Sequence, residues 1–344
     1  MQLDQLGGWP ALLGTLASRG DLTSDQARAA MAEILDGAAT PAQIAGFIVA
    51  LRMKGETVEE LTGLVEAMLA TAERVTLSEG TDAVDIVGTG GDRAHTINVS
   101  TLAALTVAGA GGKVCKHGNR AASSSTGAAD LLEAFGVRLD CGPEEVARCV
   151  EGAGMGFCFA PRFHPAMRHA GPTRRELGIP TAFNFLGPLA NPAGVRRLMI
   201  GVADPTMAER MIGVLAARGC ERAMVVHGGD GLDELTISTT SQVVELRGGS
   251  VRTYEVDPAD LGLPQAPRSA LTGGDPATNA GLARAILAGE PGPQRDVVCL
   301  NAAAGLVVAG LADDLAAGVD AARKAIDGGA AAAALEQLVA LSNA

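Results

Sequence analysis

The sequence predicts an α/β fold in which a small all-helical domain is joined to a large domain with a mostly parallel central sheet flanked by helices. Roughly the first 75 residues carry only helix signals, and from Asp82 onward short apolar runs alternate with helical patterns. Glycine-rich turns separate several of these runs. Strands that alternate with helices are typical of a parallel sheet covered by helices on its faces.

Helices in the first part of the chain are predicted from their start and stop signals. Three threonines are each followed three residues later by Gln or Glu, which is the capping-box pattern: Thr23 with Gln26, Thr40 with Gln43 and Thr57 with Glu60. Gly37 and Gly55 are predicted to end the helices before them. We therefore expect a small helical domain over residues 1–76, completed by a helical segment near 166–192, and a large domain over 80–165 and 193–344.

The large domain is predicted to begin with two strand-turn-helix units. Their parts are, in order, a buried strand at 84–87, a glycine-rich turn at 88–92, a helix opened by Asn98, a strand at 113–115, a polar turn at 116–120 and a helix capped by Ser125 or Thr126. The later elements are strands at 156–159, 198–202 and 223–226, a helix at 207–218, a hairpin of 242–246 and 250–256 joined at Gly248-Gly249, and Ala-rich helix from Val297 on.

Composition excludes several classes of function. Aromatic residues make up only 3% of the 344 residues and the net charge is -12, so a nucleic-acid partner is disfavoured. No run of about 20 apolar residues occurs, which predicts that the chain has no transmembrane helix. We also expect no membrane partner. The first residues lack the basic region of a signal peptide, so we expect a cytoplasmic protein. Its six cysteines are expected to be reduced thiols.

The glycine-rich turn at residues 88–92 is the first candidate for a ligand site. A strand that runs into glycines and then into a helix directs backbone N–H groups at a bound anion, and glycine lets the ligand approach closely. Asp92 repels anions, so its expected role is to hold an N–H donor or to accept hydrogen bonds from sugar hydroxyls. Alone, these glycines are better explained as a tight turn without a ligand.

Two further polar segments strengthen the ligand interpretation. Asn98, Ser100 and Thr101 stand together at a helix start, where capping explains only one of the three side chains. Residues 116–120 place two cations, a histidine and an asparagine in one strand-to-helix turn, and four hydroxyl side chains follow at 123–126. A solvated basic loop is the alternative. Polar loops after neighbouring parallel strands meet at the carboxyl edge of the sheet, where ligands bind.

Carboxylates and arginines complete the candidate site. Asp233 and Glu234 follow another glycine-rich loop, and together with the Ser100 hydroxyl they suit Mg²⁺, which takes one or two carboxylates plus substrate oxygens. A surface pair of acids is the alternative. Arg174 and Arg175 offer a guanidinium fork for a planar carboxylate, with an exposed pair of cations as the alternative.

Taken together, these motifs resemble the anthranilate phosphoribosyltransferase family over most of the chain. The resemblance rests on residues 85–101, 116–124, His164-Pro165-Ala166, 174–178, 184–192 and 231–235. It implies a fold of the nucleoside phosphorylase and phosphoribosyltransferase type, and transfer of the phosphoribosyl group of 5-phosphoribosyl diphosphate (PRPP) to the amine of anthranilate in tryptophan biosynthesis. It also implies a homodimer formed through the helical domain, and two Mg²⁺ ions per subunit.

The resemblance implies roles for particular residues of this chain. Contacts to PRPP are expected from Gly88, Gly91, Asp92, Thr96, Asn98, Val99, Ser100, Thr101, Lys116, His117, Gly118, Asn119, Arg120, Ala121, Ala122, Ser123 and Ser124. Contacts to anthranilate are expected from Gly88, Asn119 and Arg174, and Mg²⁺ ligands are expected to be Ser100, Asp233 and Glu234. Ala128 departs from the family pattern because it stands where many relatives have a serine that contacts PRPP.

The expected mechanism is electrostatic, since no Cys or Ser has an obvious His partner by spacing. Displacement at the ribose anomeric carbon is expected to depend on stabilising the departing diphosphate and on positioning the amine. His117 is a candidate for assisting with the amine proton, with a structural role as the alternative. Other functions left open are a pyrimidine nucleoside phosphorylase, a phosphoribosyltransferase for another aromatic amine, and a nucleic-acid-binding relative of the fold.

Overall fold

The protein is described by a computed structural model that covers residues 2–121 and 124–344. It begins with four helices, α1 (Gly8–Ala17), α2 (Ser24–Leu35), α3 (Pro41–Lys54) and α4 (Val58–Ala70), in which α2 packs on α4 and α1 on α3. The three predicted capping boxes are present at the starts of α2, α3 and α4. Each threonine side chain accepts the N–H of the residue three positions later, so the predicted helix starts are confirmed.

The rest of the chain alternates strands and helices, as predicted. Its elements are β1 (Val84–Gly88), α5 (Val99–Gly109), β2 (Val114–Gly118), α6 (Ala128–Phe135), α7 (Pro143–Ala153), β3 (Met155–Phe159), α8 (Ala160–Phe163), α9 (Gly171–Leu177), α10 (Phe183–Leu189), β4 (Arg197–Gly201), α11 (Ala208–Ala217), β5 (Arg222–Gly228), β6 (Ser241–Arg247), β7 (Ser250–Val256), α12 (Pro276–Leu287), α13 (Pro293–Ala309), α14 (Leu315–Asp327) and α15 (Ala330–Ser342).

The strands form one seven-stranded sheet in the order β3-β2-β1-β4-β5-β6-β7. The first five strands in this order are parallel, and β6 and β7 add to the edge as the predicted antiparallel hairpin. The chain moves from β1 outward to β3 and then returns to the other side of β1, where Gly88 pairs with Gly201 of β4. Such a reversal of strand order opens a crevice at the carboxyl ends of the strands.

The two faces of the sheet belong to two different hydrophobic cores. On β4, Met199 packs with α5 and the C-terminal helices, whereas Leu198 and Ile200 pack with the N-terminal helices and α11. This alternation follows from the two-residue period of a strand. Residues of α10, among them Phe183 and Leu186, join the same core as the N-terminal helices. The segment between β3 and β4 is therefore packed against the helical start of the chain.

Three sequence-based assignments differ from the structure. Lys116, His117 and Gly118 lie in β2 and not in a turn, because the strand pairs with β3 through Gly118. The helix α6 is capped by Gly127 and not by Ser125 or Thr126, since the Asp130 carboxylate accepts the Gly127 N–H at 2.9 Å. The predicted Ala-rich helix at the C-terminus consists of three helices, α13 to α15.

None of the helices in the described ranges 2–121 and 124–344 combines the length and the apolar composition needed to cross a lipid bilayer.

Candidate active site

A cavity of about 640 Å³ opens at the carboxyl edge of the sheet, beside the reversal of strand order. Its wall contains the ends of β1 and β2, the first residues of α5 and α6, and the segment from α8 to α10. The glycine-rich turn, Lys116 and the carboxylate pair Asp233-Glu234 all line it. The polar loops predicted to meet at this edge therefore do meet there.

Most of the predicted site residues line this cavity. Among the described residues these are Gly88, Gly91, Asp92, Thr96, Asn98, Val99, Ser100, Lys116, His117, Gly118, Asn119, Arg120, Ala121, Ser124, Arg174, Asp233 and Glu234. Ala122 and Ser123, also predicted to contact PRPP, lie outside the described residues. Thr101 is a correction, because its side chain is fully buried in α5 and does not reach the cavity wall.

The turn after β1 is shaped by its glycines and by Asp233. Gly90 and Gly91 have φ angles of +68° and +91°, in the left-handed region that favours glycine. The Gly90 N–H donates to the Asp233 carboxylate at 2.7 Å. A methyl group at Gly88 would overlap the same carboxylate, so the strand end and the acidic residue can approach only because Gly88 lacks a side chain.

Lys116 is a buried cation in the cavity wall. Its side chain is 1% exposed, and its ammonium donates to the Ile86 carbonyl and to the Ser100 hydroxyl, the latter at 3.3 Å. Burial lowers the pKa of Lys116, and the nearby acids Asp85, Glu234 and Asp233 oppose that shift. The ammonium therefore lies among carboxylates and beside the first turn of α5.

Asp233 and Glu234 are buried acids in a crowded negative environment. Burial, together with the charge of Asp92, raises the pKa of Asp233 to about 7. Burial also raises the pKa of Glu234, with Asp233 adding to the effect and Lys116 opposing it. No three His, Cys, Asp or Glu side chains converge on a metal position within residues 2–121 and 124–344. Two carboxylates and a hydroxyl fit a divalent cation that completes its coordination with substrate oxygens.

A network behind β2 holds the strand end in place. The Asp85 carboxylate accepts the His117 N–H at 3.1 Å and the Asn191 side-chain amide at 2.8 Å. Asn191 also donates to the Cys115 carbonyl at 2.8 Å. Burial raises the pKa of Asp85 to about 6, although Lys116 and these donors favour its charged form. The residues of β2 that line the cavity are thus fixed from behind.

His117 and His164 lie side by side in the cavity wall, with ring centroids 5.0 Å apart. Burial and the neighbouring His164 lower the pKa of His117 to about 3, so its ring is neutral at physiological pH. His117 Nδ1 lies 3.0 Å from the Gly187 carbonyl, which assigns the ring proton to Nδ1. Its Nε2 is buried without a protein partner among the described residues and is left as an acceptor.

The two predicted arginines have different surroundings. The Arg174 guanidinium lies 5.4 Å from the centroid of the Phe183 ring, and burial lowers the pKa of Arg174. No carboxylate of the described residues lies within ion-pair distance of it. Arg120, in contrast, pairs with Asp130 and Glu133 at 2.8 Å and lies over the Phe159 ring. Arg174 is therefore a cation available to a ligand carboxylate.

The cavity wall also contains residues for which no individual ligand contact is predicted, although Thr89, Gly90, Thr126 and Arg175 lie in the predicted candidate segments. The additional residues are Met68, Val87, Thr89, Gly90, His95, Ile97, Thr126, Gly127, Ala128, Ala160, Pro161, His164, Pro165, Met167, Arg168, Gly171, Arg175, Phe183, Asn184, Gly187 and Pro188. His164 and Asn184 lie in motifs of the family resemblance and could have been found from them. Met68 belongs to the apolar face of α4 and carries no signal of a site.

Comparison with known proteins agrees with this geometry over nearly the whole chain. Residues 80–332 match the α/β domain of a glycosyl transferase family, and residues 10–72 match the helical bundle domain of such a family. The anthranilate phosphoribosyltransferase of Arthrobacter sp. is 55% identical over 97% of this chain and 96% of its own. Among solved structures, anthranilate phosphoribosyltransferase from Thermus thermophilus is 43% identical, with a TM-score of 0.92 over 97% of this chain and 99% of that one. The enzyme from Saccharomyces cerevisiae in complex with PRPP and Mg is 27% identical, with a TM-score of 0.89 over 97% and 98%.

Proposed function

This chain belongs to the anthranilate phosphoribosyltransferases of the glycosyl transferase family, and on that basis we propose how its cavity performs their reaction. The enzyme transfers the phosphoribosyl group of PRPP to the amine of anthranilate, giving N-(5-phosphoribosyl)anthranilate and diphosphate in tryptophan biosynthesis, and it uses Mg²⁺. One observation carries the assignment of the site. Two helix starts, a buried lysine and a pair of buried carboxylates converge on a single cavity.

PRPP binds between the glycine-rich turn and the starts of α5 and α6. A helix start attracts phosphate because its backbone N–H groups carry partial positive charge. Residues 98–100 and 126–128 bring two such starts to the cavity wall. Lys116 adds a full positive charge behind Ser100. These groups, with the other cavity-lining residues predicted for PRPP, form the proposed diphosphate and ribose site.

Mg²⁺ binds at Ser100, Asp233 and Glu234. The raised pKa of both acids supports this, because a divalent cation would relieve the cost of burying two adjacent carboxylates. We expect two ions per subunit. When bound, Mg²⁺ neutralises charge on the diphosphate as it leaves.

Anthranilate binds on the side of the cavity formed by α9 and α10. Arg174 holds its carboxylate, since this guanidinium is half-buried and carries no ion pair in the described protein. Phe183, against which Arg174 stacks, forms an apolar wall for the aromatic ring. We propose that the amine and the anomeric carbon meet near Gly88 and Asn119, which line the same cavity.

The chemical step breaks the bond between the ribose anomeric carbon and the diphosphate oxygen and forms the bond from that carbon to the amine nitrogen. The amine is neutral at pH 7 and attacks without a strong base, so fixed positioning supplies much of the rate. The attacking nitrogen must then lose a proton. We propose that the departing diphosphate, which the reaction itself supplies, accepts this proton. The ring of His117 then has a structural role, because its Nε2 is buried and its pKa of about 3 makes it a poor base.

We further propose the domain division and the homodimer that the sequence predicts. The helical domain spans residues 1–76 and is completed near 166–192, and it forms the subunit interface. Met53, near the end of α3, is 73% exposed, so a charge introduced there tests whether this surface is buried between subunits. Light scattering on the wild type and on Met53→Glu tests the dimer. A cytoplasmic location and the lack of nucleic-acid or membrane partners stay predictions.

Fluorescence of anthranilate tests the proposed function directly. The protein is mixed with PRPP, Mg²⁺ and anthranilate, and anthranilate fluorescence is expected to fall only when all three are present. Parallel mixtures replace PRPP by inorganic phosphate with a pyrimidine nucleoside, or replace anthranilate by other aromatic amines. Turnover of the nucleoside, or a marked preference for another amine, would contradict the assignment.

A further inference from the structure

Behind the two helix starts of the cavity lies a closed ring of four hydrogen bonds. One member of the ring is Asn279 of α12, which is 2% exposed and is not part of the cavity wall formed by the described residues. The Gly274 N–H donates to Asn279 Oδ1 at 2.7 Å, and Asn279 Nδ2 donates to Asn98 Oδ1 at 2.9 Å. Asn98 Nδ2 donates to the Thr126 carbonyl at 2.9 Å, and the Thr126 hydroxyl donates to the Gly274 carbonyl at 2.8 Å.

Backbone groups fix the direction of this ring. The Gly274 N–H can only donate, and the Thr126 carbonyl can only accept. Between them, the Asn279 and Asn98 carboxamides are each oriented so that oxygen faces a donor and nitrogen faces an acceptor. A 180° rotation of either side-chain amide would place two donors against each other on one side and two acceptors on the other. The ring therefore has one arrangement, and each member depends on the next.

The chain around Gly273 holds Asn279 against the glycine-rich loop. A Cβ atom at Gly273 would lie 2.5 Å from Asn279 Oδ1 and 2.9 Å from the Thr96 carbonyl, so the backbone packs directly on both. Thr272 forms an antiparallel bridge with Thr96, and the Gly273 N–H donates to the His95 carbonyl at 2.9 Å. Asn279 thus contacts a segment that runs beside the loop between β1 and α5.

The two ends of the ring are the two helix starts of the proposed PRPP site. Asn98 is the N-cap residue of α5, and Thr126 directly precedes Gly127, the N-cap residue of α6. A phosphate held between two helix starts is sensitive to their separation, because N–H donors act only over a narrow range of distance and angle. We propose that Asn279 is a positioning residue that sets the spacing of α5 and α6 for PRPP. This inference rests on the proposed function of the cavity.

Steady-state kinetics of Asn279→Ala tests the proposal. Loss of two hydrogen bonds in the ring is expected to raise the KM for PRPP about tenfold, while the KM for anthranilate changes less than about twofold. Ile286→Val is the matched control, since Ile286 is buried on the same helix and is not a member of the ring. An equal rise in both KM values, or a similar rise in the control, would show that only the packing of α12 matters and would overturn the proposal.

A double-mutant cycle separates the ring from a direct contact of Thr126 with PRPP. If the ring acts as a unit, Thr126→Val adds little to the PRPP KM once Asn279→Ala has opened it. If the two substitutions instead multiply their effects on the PRPP KM in the double variant, the proposal is overturned.

If Asn279→Ala does not fold, Asn279→Asp replaces it, since this change keeps the acceptor for Gly274 and removes the donor to Asn98. A wild type inactive with PRPP and anthranilate would instead refute the proposed function, and an active wild type with an unaltered Asn279→Ala variant would refute only the positioning role.

Discussion

The Asp233 carboxylate accepts the N–H of Gly90 at 2.7 Å, across 143 positions of sequence. An acidic residue proposed to bind Mg²⁺ therefore also holds the turn proposed to bind phosphate. The charge of this carboxylate, the backbone of the turn and the proposed metal position therefore coincide in the cavity. Changes at any of them are expected to affect the others.

Gly88→Ala tests how closely the end of β1 packs against the Asp233 carboxylate. The added methyl group would overlap the Asp233 carboxylate and push it from the turn. We expect kcat/KM for PRPP to fall about a hundredfold, because small displacements of positioned groups have effects of that size. Gly14→Ala on α1 is the control, since a Cβ atom there meets nothing within 4 Å. Near-normal activity of Gly88→Ala would contradict the close contact.

Replacing Asp233 and Glu234 together by alanine tests the metal site. We expect turnover to fall on the order of a thousandfold while the fold survives, since the stabilisation of the departing diphosphate is lost. The measurement is initial rate against Mg²⁺ concentration, with circular dichroism to check the fold. Glu245→Gln is the control, because it alters a buried carboxylate on β6 outside the cavity wall. Unchanged activity of the double variant at saturating Mg²⁺ would rule out the assignment.

Arg174→Ala tests the site for the acceptor carboxylate. We expect the KM for anthranilate to rise roughly tenfold or more and the KM for PRPP to rise less, because a charge-assisted hydrogen bond is lost on one substrate only. Arg174→Lys is expected to recover little, since lysine lacks the planar fork. Arg148→Ala, at an exposed position of α7 outside the cavity wall, serves as the control. The opposite ranking of the two KM values would exclude this role.

Asp85→Asn tests the electrostatics behind β2 through the pH dependence of stability. The folded-state pKa of Asp85, about 6, lies above its ordinary value of 3.8, so the folded protein favours the neutral form. The contribution of this neutral form to the free energy of unfolding is fully present below pH 4. It decreases as the pH rises through 6, by about 3 kcal/mol at most. Urea unfolding of both proteins from pH 4 to 7.5 measures the difference. We expect the free energy of unfolding of the wild type to fall relative to that of Asp85→Asn over this pH range. Parallel pH profiles of the two proteins would contradict the raised pKa of Asp85.

Much of the fold and of the site could be predicted because the signals are local. The capping boxes at Thr23, Thr40 and Thr57 specify helix starts from four residues each. The glycine-rich turn and the polar residues after β2 mark the carboxyl edge of the sheet in the same way. Strand β2, however, pairs with β3 as far as Gly118, and so it continues through the polar residues Lys116 and His117.

Other features depend on contacts that a local pattern does not contain. Thr101 follows Ser100 by one position, which turns it about 100° around the helix and away from the cavity. Because residues 101–108 of α5 are all buried, no amphipathic pattern distinguishes the inner face from the face toward the ligand. Asn279 lies 181 positions after its partner Asn98, and only the packing of α12 brings them together.

The division of β4 and β5 between two cores has a consequence for recombining relatives of this enzyme. Leu198, Ile200, Ala223 and Val225 face the helical start of the chain, while Met199 and Met224 face the C-terminal helices. The N-terminal helices therefore complete one face of the sheet. A chimera that takes residues 1–76 from a different homologue must also take the matching face of β4 and β5 together with α11. A junction placed only at the chain boundary near residue 77 would join two surfaces that have not evolved to fit each other.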